Sequence, residues 1–258
     1  MKYFNSFIAV CKKEWIELKR YWFNTVVGLC MFLLMFMALF SGAKSIGQNN
    51  FSLMDSLEGF LIGYALWFLA MGAFADTAHA IIDESRKGTL EQLYMTDVPF
   101  TWLLISKNMI STIIYSIIFV VIILIQTKVT GITLNLDFIS VFITLFIGLF
   151  SLYGIGLILA GLGLIFKKIQ NLLGVTQFIL VGIMIVSPTS LPFVRLLPFV
   201  EGREMIMDIM RNGYSLWDFS IYNWLFLLAN SIFYLVVGIY GYKIAEMQVL
   251  KRGMLGQY

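Results

Sequence analysis

Long apolar stretches alternate with short polar segments along this chain of 258 residues. Six stretches contain no charged residue, and each is near or above the roughly 17–25 residues with which a helix crosses a hydrocarbon core of about 30 Å. Backbone polar groups in lipid must be satisfied within the segment, so the pattern predicts six transmembrane helices. The glycines at 154, 156, 161 and 163 permit close helix contact in the fourth. The predicted spans cover residues 21–43, 59–75 (continuing to 82), 108–127, 138–166, 169–194 and 219–242.

The first 20 residues have the pattern of an amphipathic helix. Apolar side chains recur at helical spacing from Phe4 to Trp22, and lysine, arginine and glutamate occupy most other positions. Aromatic anchors and basic residues predict a helix that lies in the membrane interface against anionic headgroups. A flank that only sets the membrane topology would carry the same basic residues, so both interpretations stay open.

A polar interruption covers residues 83–99, DESRKGTLEQLYMTDVP. Gly88 loosens the backbone, and Thr89 stands three residues before Gln92, the spacing of a capping box at a helix start. Glu91 falls in the first turn, where the positive helix end favours a carboxylate. We therefore expect a short, capped helix at the membrane surface.

The same short helix has an apolar stripe. Leu90, Leu93 and Tyr94 share one face, and Pro99 discourages continuation of the helix. Such a face is typical of a docking element. The alternative is a generic polar connection between two spans.

Residues 187–218 form an unusual segment between the last two predicted spans. Pro188, Pro192 and Pro198 interrupt an apolar run, and charged residues then alternate with apolar ones up to Arg211. The pattern predicts a broken helix that turns at the outer leaflet, followed by an amphipathic helix in the interface. A plain extracellular loop is the alternative.

Composition and charge agree with an all-α polytopic membrane protein of one domain, residues 1–258. The chain is 60% hydrophobic and 13% charged, far from the balance of a soluble domain. With the N-terminus inside, 13 of the 18 lysines and arginines fall in inside segments. The positive-inside rule then places both termini and residues 83–99 in the cytoplasm.

Ionisable groups at membrane depth are functional candidates because their insertion is costly. Asp76 and His79 lie three residues apart at the inner end of the second span. A proton relay is one interpretation, and a hydrogen-bonded pair in an inner vestibule is the other. Tyr64 and Trp67 lie deeper in the same span, where they would line a pathway, face lipid or pack against other helices.

Several motifs are missing from the sequence. It contains no P-loop, no H-E-x-x-H and no serine-centred nucleophile motif. Cys11 and Cys30 have no metal spacing. We therefore expect no enzyme activity in this chain by itself, no metal site and no nucleic-acid partner.

Part of the polar interruption resembles a known family. Glu84, Arg86, the run Gly88-Thr89-Leu90-Glu91, Leu93, Thr96 and Pro99 are similar to the E-x-x-x-G-T-L-E-x-L…T-x-P signature of ABC-2 type transporter permeases. The resemblance implies that residues 83–99 are the cytoplasmic coupling helix, which docks on a separate ATPase subunit. It implies a second, smaller ATPase contact at Lys167 and Lys168, for which positive-inside anchors are the alternative.

The resemblance also implies the rest of the assembly. ATP and Mg²⁺ would be bound by the ATPase and not by this chain, and a second permease chain would complete the pathway. A re-entrant helical pair after the fifth span would cap the pathway's outer end, which makes Pro188, Pro192 and Pro198 candidates for an extracellular gate.

We accordingly expect the membrane subunit of an ATP-driven exporter in the cell membrane, moving a hydrophobic or amphipathic substrate such as a drug, an antimicrobial peptide, a lipid or a glycan. Three other classes remain open: an ion-coupled secondary transporter, a non-transporting anchor or sensory subunit, and a membrane-embedded enzyme built around Asp76 and His79.

Overall fold

The computed structural model describes residues 1–46, 57–166, 169–185 and 192–251, and within these ranges the regular structure is entirely helical. The described elements are α1 (Lys2–Arg20), α2 (Trp22–Ile46), α3 (Leu57–Arg86), α4 (Leu90–Tyr94), α5 (Phe100–Thr130), α6 (Phe138–Phe166), α7 (Gln170–Ile185), a 3₁₀ helix (Pro192–Leu196), α8 (Val200–Asn212) and α9 (Ile221–Lys251).

Five of the described helices, α2, α3, α5, α6 and α9, are long and apolar enough to cross a membrane. They correspond to predicted spans one to four and six. Helix α7 is apolar but has 16 residues, and it begins where the fifth span was predicted. Residues 186–191 of that prediction lie outside the described residues. The chain is therefore a multi-pass, all-helical membrane protein.

Helix α5 is longer than the sequence pattern predicted, because it begins at Phe100 and not at residue 108. Pro99 stands at its N-cap, where the missing N–H of proline costs nothing. At the other end Gly131 adopts φ +74°, a left-handed conformation that ends the helix. Lys107, which directly precedes the predicted third span, consequently lies two turns inside α5.

Helix α6 is the centre of the bundle and contacts α3, α5, α8 and α9. The α6 and α9 backbones touch: a Cβ atom added to Gly154 would lie 2.1 Å from the Tyr234 carbonyl oxygen, and one added to Gly238 would lie 2.2 Å from the Gly154 carbonyl oxygen. Gly156 approaches the Phe74 carbonyl on α3 in the same way, at 2.6 Å. The predicted close contact of the fourth span is confirmed.

The two ends of the bundle carry different elements. At one end α4 meets the last turns of α9, where the Tyr94 and Tyr242 hydroxyl oxygens lie 2.6 Å apart. At the other end α8 meets the α5–α6 connection, where the Asn135 N–H donates to the Met210 carbonyl at 2.9 Å. We call these the α4 end and the α8 end.

Helix α8 is amphipathic as predicted, but its apolar side does not face a membrane surface. Met205, Ile206 and Ile209 are completely buried, and the helix packs against α3, α6 and α7. The sequence pattern did not predict that this face packs on the chain's own helices. A periodic apolar face fits lipid and protein equally well, so the pattern alone cannot distinguish the two environments.

Candidate functional site

The connection formed by residues 83–99 turns sharply at Gly88, just after α3 ends at Arg86. Gly88 adopts φ +69°, which is favourable only for glycine. The Thr89 N–H donates to the Glu84 carbonyl at 3.0 Å, and the Gly88 N–H donates to the Ser85 carbonyl at 3.1 Å. These two bonds form a Schellman motif, which satisfies the last carbonyls of α3.

Thr89 occupies the N-cap position of α4, but it does not form the predicted capping box. Its side chain makes no capping hydrogen bond to α4. The hydroxyl donates instead to the Glu84 carboxylate, and its oxygen lies 3.2 Å from the Glu84 carbonyl oxygen. The Schellman turn brings that carboxylate within reach, and a bond to a charged acceptor is stronger than one to a neutral amide.

The apolar stripe of α4 faces the chain's own helices. Leu90 is 1% exposed, and Leu93 and Tyr94 are partly buried in a cluster with Phe100 and Tyr242. Our interpretation of the stripe as a free docking face is therefore wrong. The stripe instead packs the connection against α5 and α9.

The opposite side of α4 is open. Met95 is 88% exposed, and Val98, near the end of the connection, is buried. The exposed residues of this side are Glu91, Gln92, Met95, Thr96 and Asp97.

Helix α1 lies against the same connection. Lys13 Nζ lies 2.5 Å from Glu84 Oε1, and Lys2 Nζ lies 2.7 Å from Asp97 Oδ2. The indole N–H of Trp102, just after the connection, lies 3.3 Å from the Tyr3 carbonyl oxygen. Both ends of the connection are thus joined to α1, and Glu84 binds α1 and α4 through Lys13 and Thr89.

A cavity of about 440 Å³ opens between α1, α3 and the start of α5. We call it the polar cavity. Asp76 and His79 both line it, together with apolar side chains such as Val10 and Leu104. The other charged lining residues are Lys13, Glu14, Glu17, Asp83, Glu84, Lys87 and Lys107.

The carboxylate of Asp76 is held by α5. Lys107 Nζ lies 2.7 Å from Asp76 Oδ1, and the Ser111 hydroxyl donates to Oδ2 at 2.7 Å. The described contacts of Asp76 therefore lie across the α3–α5 interface and include no bond to His79, which is exposed. A buried polar contact lies beside this one: the Thr77 hydroxyl donates to Asn108 Oδ1 at 3.0 Å.

Carboxylates outnumber ammonium groups in the lining of the polar cavity. Asp76 pairs with Lys107, and Glu84 pairs with Lys13. Three acidic residues and one lysine are left without a salt bridge within the described part of the chain. They are Glu14, Glu17, Asp83 and Lys87.

Glu14 lies on α1, outside the spans, and is half-buried. Burial raises the pKa of Glu14 above its ordinary value; Lys107 opposes this shift, and Asp76 and Glu17 reinforce it. Glu14 is thus partly desolvated in the wall of the polar cavity.

Tyr64 and Trp67 are separate from the polar cavity. Tyr64 is 5% exposed, and its hydroxyl donates to the Phe32 carbonyl on α2 at 3.0 Å. Trp67 packs on the Phe32 and Tyr64 rings, with centroid distances of 6.0 and 5.4 Å. Both side chains thus pack between α2 and α3.

At the α8 end, Pro192 begins the 3₁₀ helix, and Pro198 lies in the turn before α8. The next residue, Phe199, adopts φ +67° and caps α8. Pro188, Lys167 and Lys168 lie outside the described residues, and only the backbone of Arg86 is described.

Sequence reasoning missed several residues of this site. Lys107 was overlooked because it directly precedes an uncharged stretch, although an Asp at membrane depth calls for a cation nearby. Lys13 was interpreted only as a basic residue facing anionic headgroups, and Glu14 was given no role.

Comparison with protein families gives one finding. A family model described as ABC-2 family transporter protein matches residues 44–240, which is 197 of the 258 residues. The match includes the 83–99 connection, all of α3 to α8 and most of α9. A comparison with curated proteins finds no match.

Proposed function

We propose, from the premise that this chain belongs to the ABC-2 family of transporter proteins, that it is the permease subunit of an ATP-driven exporter and is coupled to its ATPase through the 83–99 connection. Permeases of this family generally work with an ATPase subunit. The finer points, which are the direction of transport, the docking element and the substrate, are our inferences.

One observation carries the coupling proposal. The exposed side of α4 projects from a connection that is fixed on its inner side by Leu90 and joined to α1 at Glu84 and Asp97. An exposed element fixed in this way would transmit a push from a partner into α3, which ends in the connection, and into α5, which begins directly after it. Glu91, Gln92 and Met95 would contact the ATPase, while Glu84, Gly88, Thr89, Leu90 and Leu93 would maintain the shape of the connection.

The proposed topology has six spans, with α7 as part of the fifth. Both termini would be cytoplasmic, since α1, the connection and the C-terminal turns of α9 share the α4 end and carry nine of the 18 lysines and arginines. The location would be the cell membrane. Two permease chains would enclose the pathway, and Lys167 and Lys168 would give the second ATPase contact. The segment with Pro188, Pro192 and Pro198 would form the outer gate.

The polar cavity supports an amphipathic substrate that carries a positive charge. Its walls combine apolar side chains with more carboxylates than ammonium groups, and its volume is in the range of small-molecule sites. The chain itself would carry out no bond chemistry. ATP and Mg²⁺ would belong to the partner subunit.

Purification from native membranes in a mild detergent tests the coupling proposal. We expect near-equal amounts of a soluble, P-loop-containing protein to co-elute with the chain. Glu91→Arg should abolish co-elution, whereas Lys128→Glu, a charge reversal at the exposed α8 end, should preserve it. Elution of the folded chain without an ATPase would refute the proposal.

The same material distinguishes the alternatives. Transport in vesicles under a proton gradient without ATP would identify a secondary transporter. An ATPase that co-elutes but is not stimulated by any transported compound would identify an anchor or sensory subunit.

A further inference from the structure

A second cavity, of about 380 Å³, lies between α2 and α5 and is separate from the polar cavity. Its walls are almost entirely apolar and include Leu34 and Phe36 on α2 and Ile125 and Val129 on α5. The exception is Gln126. We call this cavity the α2–α5 groove.

Gln126 is a buried carboxamide that lacks a partner. The residue is 1% exposed, and neither Nε2 nor Oε1 has a hydrogen-bond partner within the described part of the chain. A buried amide without partners loses its hydration and gains nothing in return. An apolar side chain at position 126 would suit this apolar wall better, so the presence of an amide there requires an explanation.

The position of Gln126 along α5 limits what would satisfy it. The residue lies four positions before the end of α5 at Thr130, or about 6 Å along the axis at 1.5 Å per residue. Helix α5 has 31 residues, whereas about 20 are enough to cross the hydrocarbon core. Gln126 therefore lies near the border between hydrocarbon and headgroups, in the leaflet at the α8 end.

Ester carbonyls of phospholipids are found at this border, with their acyl chains extending toward the bilayer centre. An acyl chain would cover Leu34 and the other apolar walls, and an ester carbonyl would accept a hydrogen bond from the Gln126 amide. We propose that the α2–α5 groove binds a membrane phospholipid of the leaflet at the α8 end, and that Gln126 recognises its ester linkage. The site concerns a lipid partner and does not depend on the direction of transport.

The chain carries a natural reporter of the site. Cys30 lines the groove and is exposed, and the other cysteine, Cys11, lies on α1. Cys30 alkylation by N-phenylmaleimide would be followed by mass spectrometry in detergent, with Cys11→Ser to isolate the signal. The added probes would be dioleoylphosphatidylcholine and its diether analogue, which has the same chains and headgroup but lacks the ester carbonyls.

We expect the ester lipid to protect Cys30 at about fivefold lower concentration than the ether lipid, the ratio that one net hydrogen bond provides. Gln126→Leu should remove this ratio while general protection by lipid remains. The matched control, Cys11 alkylation in a Cys30→Ser chain, should not distinguish the two lipids.

Equal protection of Cys30 by the ester and ether lipids in the wild-type chain would overturn the proposal, and this arm needs no Gln126 variant. Protection that follows protein concentration and not lipid concentration would also overturn it, since it would assign the groove to a second copy of the chain. A ratio that persists in Gln126→Leu would show that another residue recognises the lipid.

Discussion

Asp76 on α3 and Lys107 on α5 form an ion pair across the wall of the polar cavity, with Oδ1 and Nζ 2.7 Å apart. Their side chains are 24% and 15% exposed, so the pair is shielded from bulk solvent. The ion pair connects the last turns of α3 to the first turns of α5, the two helices that the 83–99 connection joins. The pair thus joins α3 to α5 close to the connection.

The first prediction concerns this pair. Asp76→Asn and Lys107→Met should each lower the midpoint of thermal unfolding, because each leaves one charge without its partner in a shielded site. The double variant should be less destabilised than the sum of the two, by about 0.5–3 kcal/mol of coupling. Thermal unfolding of the four proteins in detergent measures the coupling. Strict additivity would mean that the pair contributes nothing to the bundle.

The second prediction concerns the contact between α1 and the connection. Lys13→Met removes the ammonium group from Glu84, so α1 should separate more readily and trypsin should cleave more rapidly after Lys87, in the exposed turn. Lys12→Met is the matched control, because Lys12 is the residue next to Lys13, is exposed and has no salt bridge in the described ranges. Equal cleavage rates in the two variants would contradict the bracing role of α1.

How far the sequence predicts this fold depends on whether a position faces lipid or protein. The spans were predictable because lipid forces helices on any long uncharged stretch. The environment of α4 and α8 was not predictable, because Leu90 and Ile206 would show the same helical periodicity whether a partner, the bilayer or the chain's own helices covered them. Only the assembled bundle shows that α5, α6 and α9 occupy those faces.

The site shows a similar limit. The capping signal at Thr89 was correct in position, since α4 begins at Leu90. Its hydrogen bond was predicted wrongly, because Glu84 approaches only through the left-handed turn at Gly88, a contact between two elements. Asp76 was recognised as exceptional, but its partner Lys107 lies 31 residues away. Neither composition nor local spacing defines a contact at that separation.

The third prediction concerns the contact of α6 with α9. Gly154→Ala and Gly238→Ala should each strongly lower the yield of folded protein and the unfolding midpoint, because the added methyl group would overlap the backbone of the facing helix. Gly28→Ala is the control, since a Cβ there meets nothing within 4 Å, and alanine is the better helix former. Size-exclusion profiles and unfolding midpoints decide the matter. Wild-type behaviour of Gly154→Ala would show that the helices separate at little cost.

The fourth prediction concerns pH and Glu14. Burial raises the pKa of Glu14 above its ordinary value of 4.5, with Lys107 opposing and Asp76 and Glu17 reinforcing the shift. The docked state of α1 therefore binds the proton more tightly than the undocked state. The stability that protonated Glu14 contributes is fully present below pH 4.5 and is lost as the pH rises through the raised pKa. The unfolding midpoint should therefore fall as the pH rises, and Glu14→Gln should remove this fall. If the variant keeps the pH profile of the wild-type chain, the prediction is wrong.

The last prediction tests the charge of the substrate with two ions of nearly the same shape. Tetraphenylphosphonium and tetraphenylborate differ in sign, so any difference between their affinities reports the field in the polar cavity. The cavity carries unpaired Glu14 and Glu17, so we expect the cation to bind about tenfold more tightly, a difference of about 1.4 kcal/mol. The cation's affinity should rise with pH as Glu14 ionises.

Since both ions also partition into detergent and lipid, the decisive measurement is the difference between the wild-type chain and a Glu14→Gln, Glu17→Gln variant by equilibrium dialysis. The variant should lose the preference for the cation and keep its affinity for the anion. If both proteins bind the two ions alike, the carboxylates of the polar cavity do not select the substrate, and selection must then occur elsewhere along the pathway.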